Sequence, residues 1–447
     1  MGESLLGGIH IDVNSAFLLA ATLCAFLIPV VLILPPVAVT KSDALLQTHS
    51  KAGVKGQTSN LRAQYNADVS QTGRAPKVHS LVIYPVKSCK GIEVTRSKVL
   101  PQGLEFDRLF TFAQLKSPFP VSVDSTAEEK DQHKWEFVTQ RQFPRLATVK
   151  VDLWLPDEMK LRQQSMKSRE AFVILRFPWK EGGLRGALST FAAKLSNRSL
   201  SAEPEKEILL PVDFPSIADI KERGYEYDDV KIWKETTSAL NMEKELPEEL
   251  RLYLGVSNKL AVFRVDPNQL REVFRCAPRK EAAGYQPVTG FQDAYPLHMM
   301  NLNSVQEFSK ELPKDDELKQ LDVLRFRANI IISCAPAYDE DTWKRARLKP
   351  VQNSGFYNDA VFHVSCRTVR CKMPNVDQAN GIRHPTEPDK SLRAHRAVDE
   401  GAPLLGCLGM QMTPLFDDGV GDDPHSWVAV GMTIDVEERG HHVYIKQ

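Results

Sequence analysis

The sequence predicts an α+β, β-rich fold: a barrel-like body in two lobes with several helices, preceded by one transmembrane helix. Three observations predict it. Short apolar, β-branched runs recur between residues 79 and 436 and outnumber helical patterns. The chain has 447 residues, enough for two or three domains and a large core. One uncharged stretch, SAFLLAATLCAFLIPVVLILPPVAV (15–39), stands apart from everything after it.

That stretch exceeds the roughly 20 apolar residues that span a bilayer, so a membrane anchor is expected over 15–39 behind a short tail, 1–14. A signal peptide would show a shorter apolar region behind a positive start, and MGESLLGGIHIDVN carries no Lys or Arg. Lys41, Lys51, Lys55 and Arg62 all follow the run, which puts the body of the chain on the cytosolic side. Residues 40–77 are polar and read as a flexible linker.

Order is expected from Val78. Strands are predicted at HSLVIYPV (79–86), ATVKVDLWL (147–155), KLAVFRVD (259–266), NIIIS (329–333), AVFHV (360–364) and MTIDV (432–436). PEELRLYLG (247–255) reads as a short helix, with Pro at its start and Gly at its end. SVQEFSKEL (304–312) reads as another, opened by Ser304 and Glu307 at capping-box spacing. Residues 116–134 and 156–246 look inserted. Domains are therefore expected at 78–258 and 259–447.

Lys+Arg and Asp+Glu both number 57, so no global basic field exists to draw in nucleic acid. The seven cysteines (24, 89, 276, 334, 366, 371 and 407) have no zinc spacing, and an odd count without a framework fits a reducing compartment.

Four segments carry candidate chemistry. YPVKSCKG (84–91) ends a strand with Lys87, the Ser88 hydroxyl and free backbone N–H groups, a corner suited to phosphate. FDRLF (106–110) sets Arg108 among apolar residues, where it needs either a local carboxylate or a ligand. FRANIIIS (326–333) puts Arg327 and Asn329 two apart before a strand, suited to reading a heterocycle edge or to a strand-entry turn. TVRCKMPNVDQANG (368–381) flanks Cys371 with Arg370 and Lys372, which favours the thiolate, and a thiolate is a good soft-metal ligand. An ordinary loop cysteine is the competing reading.

Together these segments resemble the MOSC family, the molybdenum-cofactor sulfurase C-terminal type, most nearly its mitochondrial amidoxime-reducing branch. Y-P-V-K-S-C-K (84–90), D-R (107–108) and V-T-Q-R-Q-F-P-R-L (138–146) are similar to that family's N-terminal β-barrel domain. F-R-x-N (326–329), R-C followed by V-D and Gly (370–381), E-P-D-K-S-L-R-A-H-R (387–396) and V-x-V-G-M (428–432) are similar to its MOSC domain. The chain departs from the pattern at Ala328, at Val369 and at Gln378-Ala379-Asn380.

The resemblance implies a molybdenum-molybdopterin cofactor, with Cys371 as the metal ligand. It implies cofactor contacts from Lys87, Ser88, Arg108, Arg327, Asn329 and Arg370, and for catalysis a supporting or proton-relay role for Asp377, whose other reading is a turn residue capping the loop after Cys371. It further implies reduction of N-hydroxylated substrates (amidoximes, hydroxylamines) with electrons from NADH through a cytochrome b5 reductase and cytochrome b5, at the mitochondrial outer membrane. Two alternatives stand beside it. One is a MOSC protein carrying cofactor or sulfur on Cys371 without reductase activity. The other is a membrane-tethered interaction module, in which the basic side chains of the four segments would not converge.

Overall fold

The computed structural model describes residues 12–33, 40–66, 74–118, 124, 126, 128, 132–163, 170–196, 199–351, 358–416 and 424–446. The chain divides into two compact units, one of residues 1–44 with 178–206 and the other of residues 45–177 with 207–447. The smaller unit holds α1 (Val13–Ile33) and α2 (Gly183–Ser196).

The expected transmembrane helix is corrected by α1. Among the described residues no helix is long and apolar enough to cross a membrane. Asn14 and Ser15 open α1, and Pro29 removes a backbone donor near its end. Thr22 and Pro29 also divide its apolar sequence, so no unbroken apolar run in α1 reaches the roughly 20 residues a span requires. Residues 34–39 of the expected span lie outside the described residues.

In the larger unit two barrels dominate. Their strands, in chain order, are β1 (Lys77–Ile83), β2 (Ile92–Val94), β3 (Phe110–Lys116), β4 (Lys134–Phe137), β5 (Glu226–Ile232), β6 (Glu235–Asn241), β7 (Leu260–Arg264), β8 (Leu297–Asn301), β9 (Ile330–Ser333), β10 (Trp343–Lys349), β11 (Ala360–Val369), β12 (Cys407–Leu415) and β13 (Thr433–Arg439). The smaller barrel closes in the order β5-β6-β7-β3-β4, with β5 and β4 parallel. The larger runs β9-β8-β12-β11-β10-β13-β1, closes through a β9–β1 pairing and carries β2 on its edge. Closure removes the unpaired strand edges that invite aggregation.

The expected strands form within a few residues of their expected ends, because each is β-branched and bounded by turn residues. The region 156–246 is less foreign than its sequence suggests. Its last part, β5 and β6, supplies two of the five strands of the smaller barrel. The barrel interior is filled by Trp135, Phe137, Val230, Ile232, Ala261 and Phe263. Within the segment expected as a flexible linker, His49, Leu61 and Gln64 are buried, and residues 67–73 lie outside the described residues. Leu61 enters the core of the larger barrel, and Gln64 Oε1 accepts from Val323 N at 2.9 Å.

The two expected helices appear as α3 (Glu248–Leu254) and α4 (Leu302–Ser309). Gly255 closes α3 in the left-handed region, as its position predicts. The cap of α4 differs from expectation. Asn301 accepts from Asn303 N, while Ser304 lies inside the helix and donates to the buried Glu340 at 2.6 Å. An unpaired buried carboxylate is costlier than an unused serine cap, so the Ser304 hydroxyl goes to Glu340.

Candidate functional site

Strand β11 ends at Val369 and delivers Arg370 and Cys371 into the following turn. The Arg370 amide still donates to Gly406 O at 2.9 Å, so the sheet fixes where the cysteine begins to turn away. Cys371 is a free, partly exposed thiol, unlike the buried Cys89, Cys334, Cys366 and Cys407. It lies on the wall of a cavity of about 280 Å³.

Arg108, Arg327, Asn329 and Arg370 line the same cavity, although the sequence scatters them over more than 260 residues. The basic side chains of separate segments therefore converge, against the expectation of a simple interaction module. Lys87 and Ser88 are not among the lining residues, and both are buried. Lys87 Nζ instead donates to Asp293 Oδ1 at 2.5 Å and to Phe291 O at 2.6 Å. The Ser88 carbonyl accepts from Gln140 Nε2 at 2.7 Å. Asp377 also lies off the cavity. It accepts from Arg325 Nη2 at 2.6 Å and from Ala379 N at 2.7 Å, so it caps its own turn.

The arginines are fixed before any ligand arrives. Arg108 pairs with Asp107 and reaches Asn329 Oδ1 at 3.3 Å. The local carboxylate that the sequence allows for is thus present, and the side chain still faces the cavity. Burial opposes its charge, but Asp107 holds its pKa above the usual value. Arg327 stacks on Tyr84 at 4.1 Å and donates to Cys89 O at 2.8 Å. Arg370 lies over Phe326 at 5.0 Å and donates to Phe326 O at 2.9 Å. Burial draws both Arg327 and Arg370 down to about 10, leaving them charged near neutrality. Arg327 does not enter β9 as an extended residue. It closes a 3-10 turn in the left-handed region at φ 55°, and Ser88 and Arg108 have similar values, 67° and 52°. Strained backbone of this kind persists where surrounding structure over-determines it, and two of these three residues, Arg108 and Arg327, line one cavity.

Several lining residues escaped the sequence reading. Asp293 has its Oδ1 shared by Lys87 and Trp233 Nε1, the latter at 3.2 Å. Burial would raise its pKa, but Lys87 holds it below the usual carboxylate range. Burial in turn pulls Lys87 down to about 8, against the pull of Asp293. His298 accepts from Arg370 Nη1 at 3.3 Å, and burial, with Arg370 and Arg108 nearby, holds it neutral. Trp233, at the β5–β6 turn, is stacked by Arg141 at 4.0 Å. Gln378, one of the departures noted above, exchanges hydrogen bonds with Gln140 and accepts from Arg327 at 3.2 Å. The usable signal was GFQDAYPLH (290–298), a carboxylate and an imidazole in an apolar run.

Donors are left over. Arg327 Nη2, Arg370 Nε and Thr368 Oγ1 are buried and have no hydrogen-bond partner among the described residues. Buried donors without acceptors are costly, so these three await an acceptor-rich ligand. Arg108, Arg327, Arg367 and Arg370 line the cavity together with one carboxylate, Asp293, while Arg108 and Arg367 are also paired with Asp107 and Asp399. This set fits a ligand with anionic groups and a heterocycle, and it places a soft thiol at one side.

The MOSC N-terminal β-barrel domain model matches residues 75–181, and the MOSC domain model matches residues 286–434. The chain belongs to the MOSC family. Named MOSC relatives fall into two groups. Mitochondrial amidoxime reducing component 2 of Rattus norvegicus is 22% identical over 79% of this chain and 80% of its own length. Mitochondrial amidoxime-reducing component 1 of Danio rerio is 30% identical, over 26% of this chain and 32% of its own. Molybdenum cofactor sulfurase of Homo sapiens is 20% identical over 77% of this chain, but only 32% of the sulfurase is covered. This MOSC chain thus spans about a third of the sulfurase and most of the rat protein. These relatives are named for amidoxime reduction and for molybdenum cofactor sulfuration, which supports an enzymatic role for this MOSC protein.

Proposed function

We propose that this MOSC protein is a molybdenum-cofactor-dependent oxidoreductase that reduces N-hydroxylated compounds such as amidoximes and hydroxylamines. Its electrons would come from NADH through a cytochrome b5 reductase and cytochrome b5. The observation that carries the reading is a partly exposed thiol on a cavity lined by four arginines, with Arg327 Nη2, Arg370 Nε and Thr368 Oγ1 among the buried lining atoms without partners.

Arg108, Arg327, Asn329 and Arg370 would hold the cofactor, and the Cys371 thiolate would bind its metal. Bound molybdenum-molybdopterin supplies the two-electron chemistry. Burial works against the charge of Arg370, and the adjacent Cys371 favours it. His298 stays neutral and accepts from Arg370, so it fixes that guanidinium without adding a further charge. Asp293 is the carboxylate on the cavity wall, and it is placed to accept a hydrogen bond from a substrate N–OH. Lys87 positions Asp293, and Asp377 positions the loop after Cys371 through Arg325.

The test compares molybdenum content in the full-length protein and in Cys371→Ala, both made in a cofactor-supplying host. About one metal per chain, lost in the variant, is expected for a single thiolate ligand. Benzamidoxime reduction by the wild type is the second expected result. Equal metal in both proteins would remove Cys371 from the metal, and no metal in either would overturn the reading. A sulfur-carrier reading draws on the sulfurase match and predicts cyanide-labile sulfur on Cys371 instead.

A further inference from the structure

A second thiol site lies beside the cavity, and the proposed reduction does not use it. Cys276, in the turn after residue 275, is partly exposed, while Cys366, within β11, is fully buried. The two pack into one cluster with Val273, Tyr295, Ala294 and Tyr444. Cys276 N donates to Tyr295 Oη at 3.3 Å, and Cys276 Sγ reaches Val443 O at 3.6 Å. Cys276, Cys366 and Tyr295 lie close enough to perturb one another's ionisation. Ninety residues of sequence separate them, so it is the fold that brings them together.

We propose that Cys276 and Cys366 are a peroxide-reactive dithiol that closes into a disulfide next to the substrate cavity. The neighbouring Cys366 draws Cys276 down to about 6 against its burial, so the outer sulfur is the thiolate at neutral pH and the inner one stays protonated. The exposed member attacks first. The Cys276 thiolate attacks one oxygen of a hydroperoxide, the O–O bond breaks, and the leaving oxygen takes a proton to become water or an alcohol. Cys276 is then a sulfenic acid. The Cys366 sulfur attacks it, the S–O bond breaks, water leaves with the Cys366 proton, and the S–S bond forms. Two electrons from the two thiols reduce one hydroperoxide. Tyr295 and Tyr444 both line the cavity and pack on this pair, so closing the bond moves one wall of the cavity.

The experiment treats the full-length protein with hydrogen peroxide, blocks free thiols and maps peptides without reduction. The expected result is a linked pair of peptides carrying Cys276 and Cys366, lighter by two hydrogens and separated again by dithiothreitol. Cys276→Ser should abolish the link and leave Cys366 unmodified. Cys366→Ser should leave Cys276 as a sulfenic acid that dimedone traps. The proposal is overturned if both thiols stay free at peroxide levels that oxidise the exposed Cys24. It is equally overturned if wild-type Cys276 goes to sulfinic acid with Cys366 free, or if either pairs with another cysteine.

Discussion

Lys87 Nζ sits 2.5 Å from Asp293 Oδ1, joining the first β-barrel segment to the wall of the cavity. The lysine side chain is almost enclosed, whereas Asp293 keeps 48% of its side-chain surface accessible. Removing one member of a buried pair leaves the other uncompensated. Lys87→Met is therefore expected to cost about 2 kcal/mol, below the range for a fully enclosed pair because Asp293 retains some solvent. Lys87→Met/Asp293→Asn should recover part of that loss. Denaturant unfolding of the four proteins in a double-mutant cycle checks it, and strict additivity would show that the pair is not coupled.

Arg327 uses one arm of its guanidinium for Cys89 O and leaves Nη2 without a partner. Arg327→Lys keeps the charge and loses the fork, so cofactor retention should fall roughly tenfold, about 1.4 kcal/mol. The fold should survive, because the stem still packs on Tyr84. Metal content after gel filtration, beside an unchanged unfolding midpoint, would support this. Undiminished metal would mean that the free donor does not face the ligand.

The two closed barrels were legible as a class because their strands are β-branched and turn-bounded. Four of the expected site residues were legible as types because each was a cation or amide in an apolar run. What they contact was not. Arg108, Arg327, Asn329 and Arg370 meet only through barrel closure, a long-range event with no local signature. Lys87 and Asp377 looked like ligand contacts because sequence shows a charge and hides its partner, here Asp293 for one and Arg325 for the other. The run at 15–39 was read as one span because hydropathy averages over the polar and proline positions within it, Thr22 and Pro29 among them.

Glu340 is fully enclosed, with Ser304 Oγ and Asn301 Nδ2 at 2.6 and 2.8 Å. Burial raises it from 4.5 to about 7 despite those bonds. Between those values the folded state holds the proton more tightly than the unfolded state. Stability therefore falls as pH rises from 4.5 to 7, by at most about 1.4 kcal/mol per unit. Unfolding measured from pH 5 to pH 7.5 should show this slope in the wild type and a shallower one in Glu340→Gln. Equal slopes would show that Glu340 is not the group responsible.

Gly409, in β12, lies against His298, a residue of the cavity wall. Its φ is +81°, and a Cβ there would stand 2.6 Å from His298 Nε2 and 2.6 Å from Met299 O. The imidazole can swing away, but the carbonyl belongs to the adjoining strand and cannot. Gly409→Ala combines an unfavourable φ with overpacking, so a loss of roughly 3 kcal/mol is expected. Displacing His298 would also free Arg370 Nη1, whose acceptor is His298 Nε2. Metal retention should therefore fall even in the fraction that remains folded. Gly56→Ala is the control, since nothing lies within 4 Å of the added carbon there. A Gly409→Ala protein as stable and as metal-rich as that control would show that β12 yields locally and that His298 is not pinned by it.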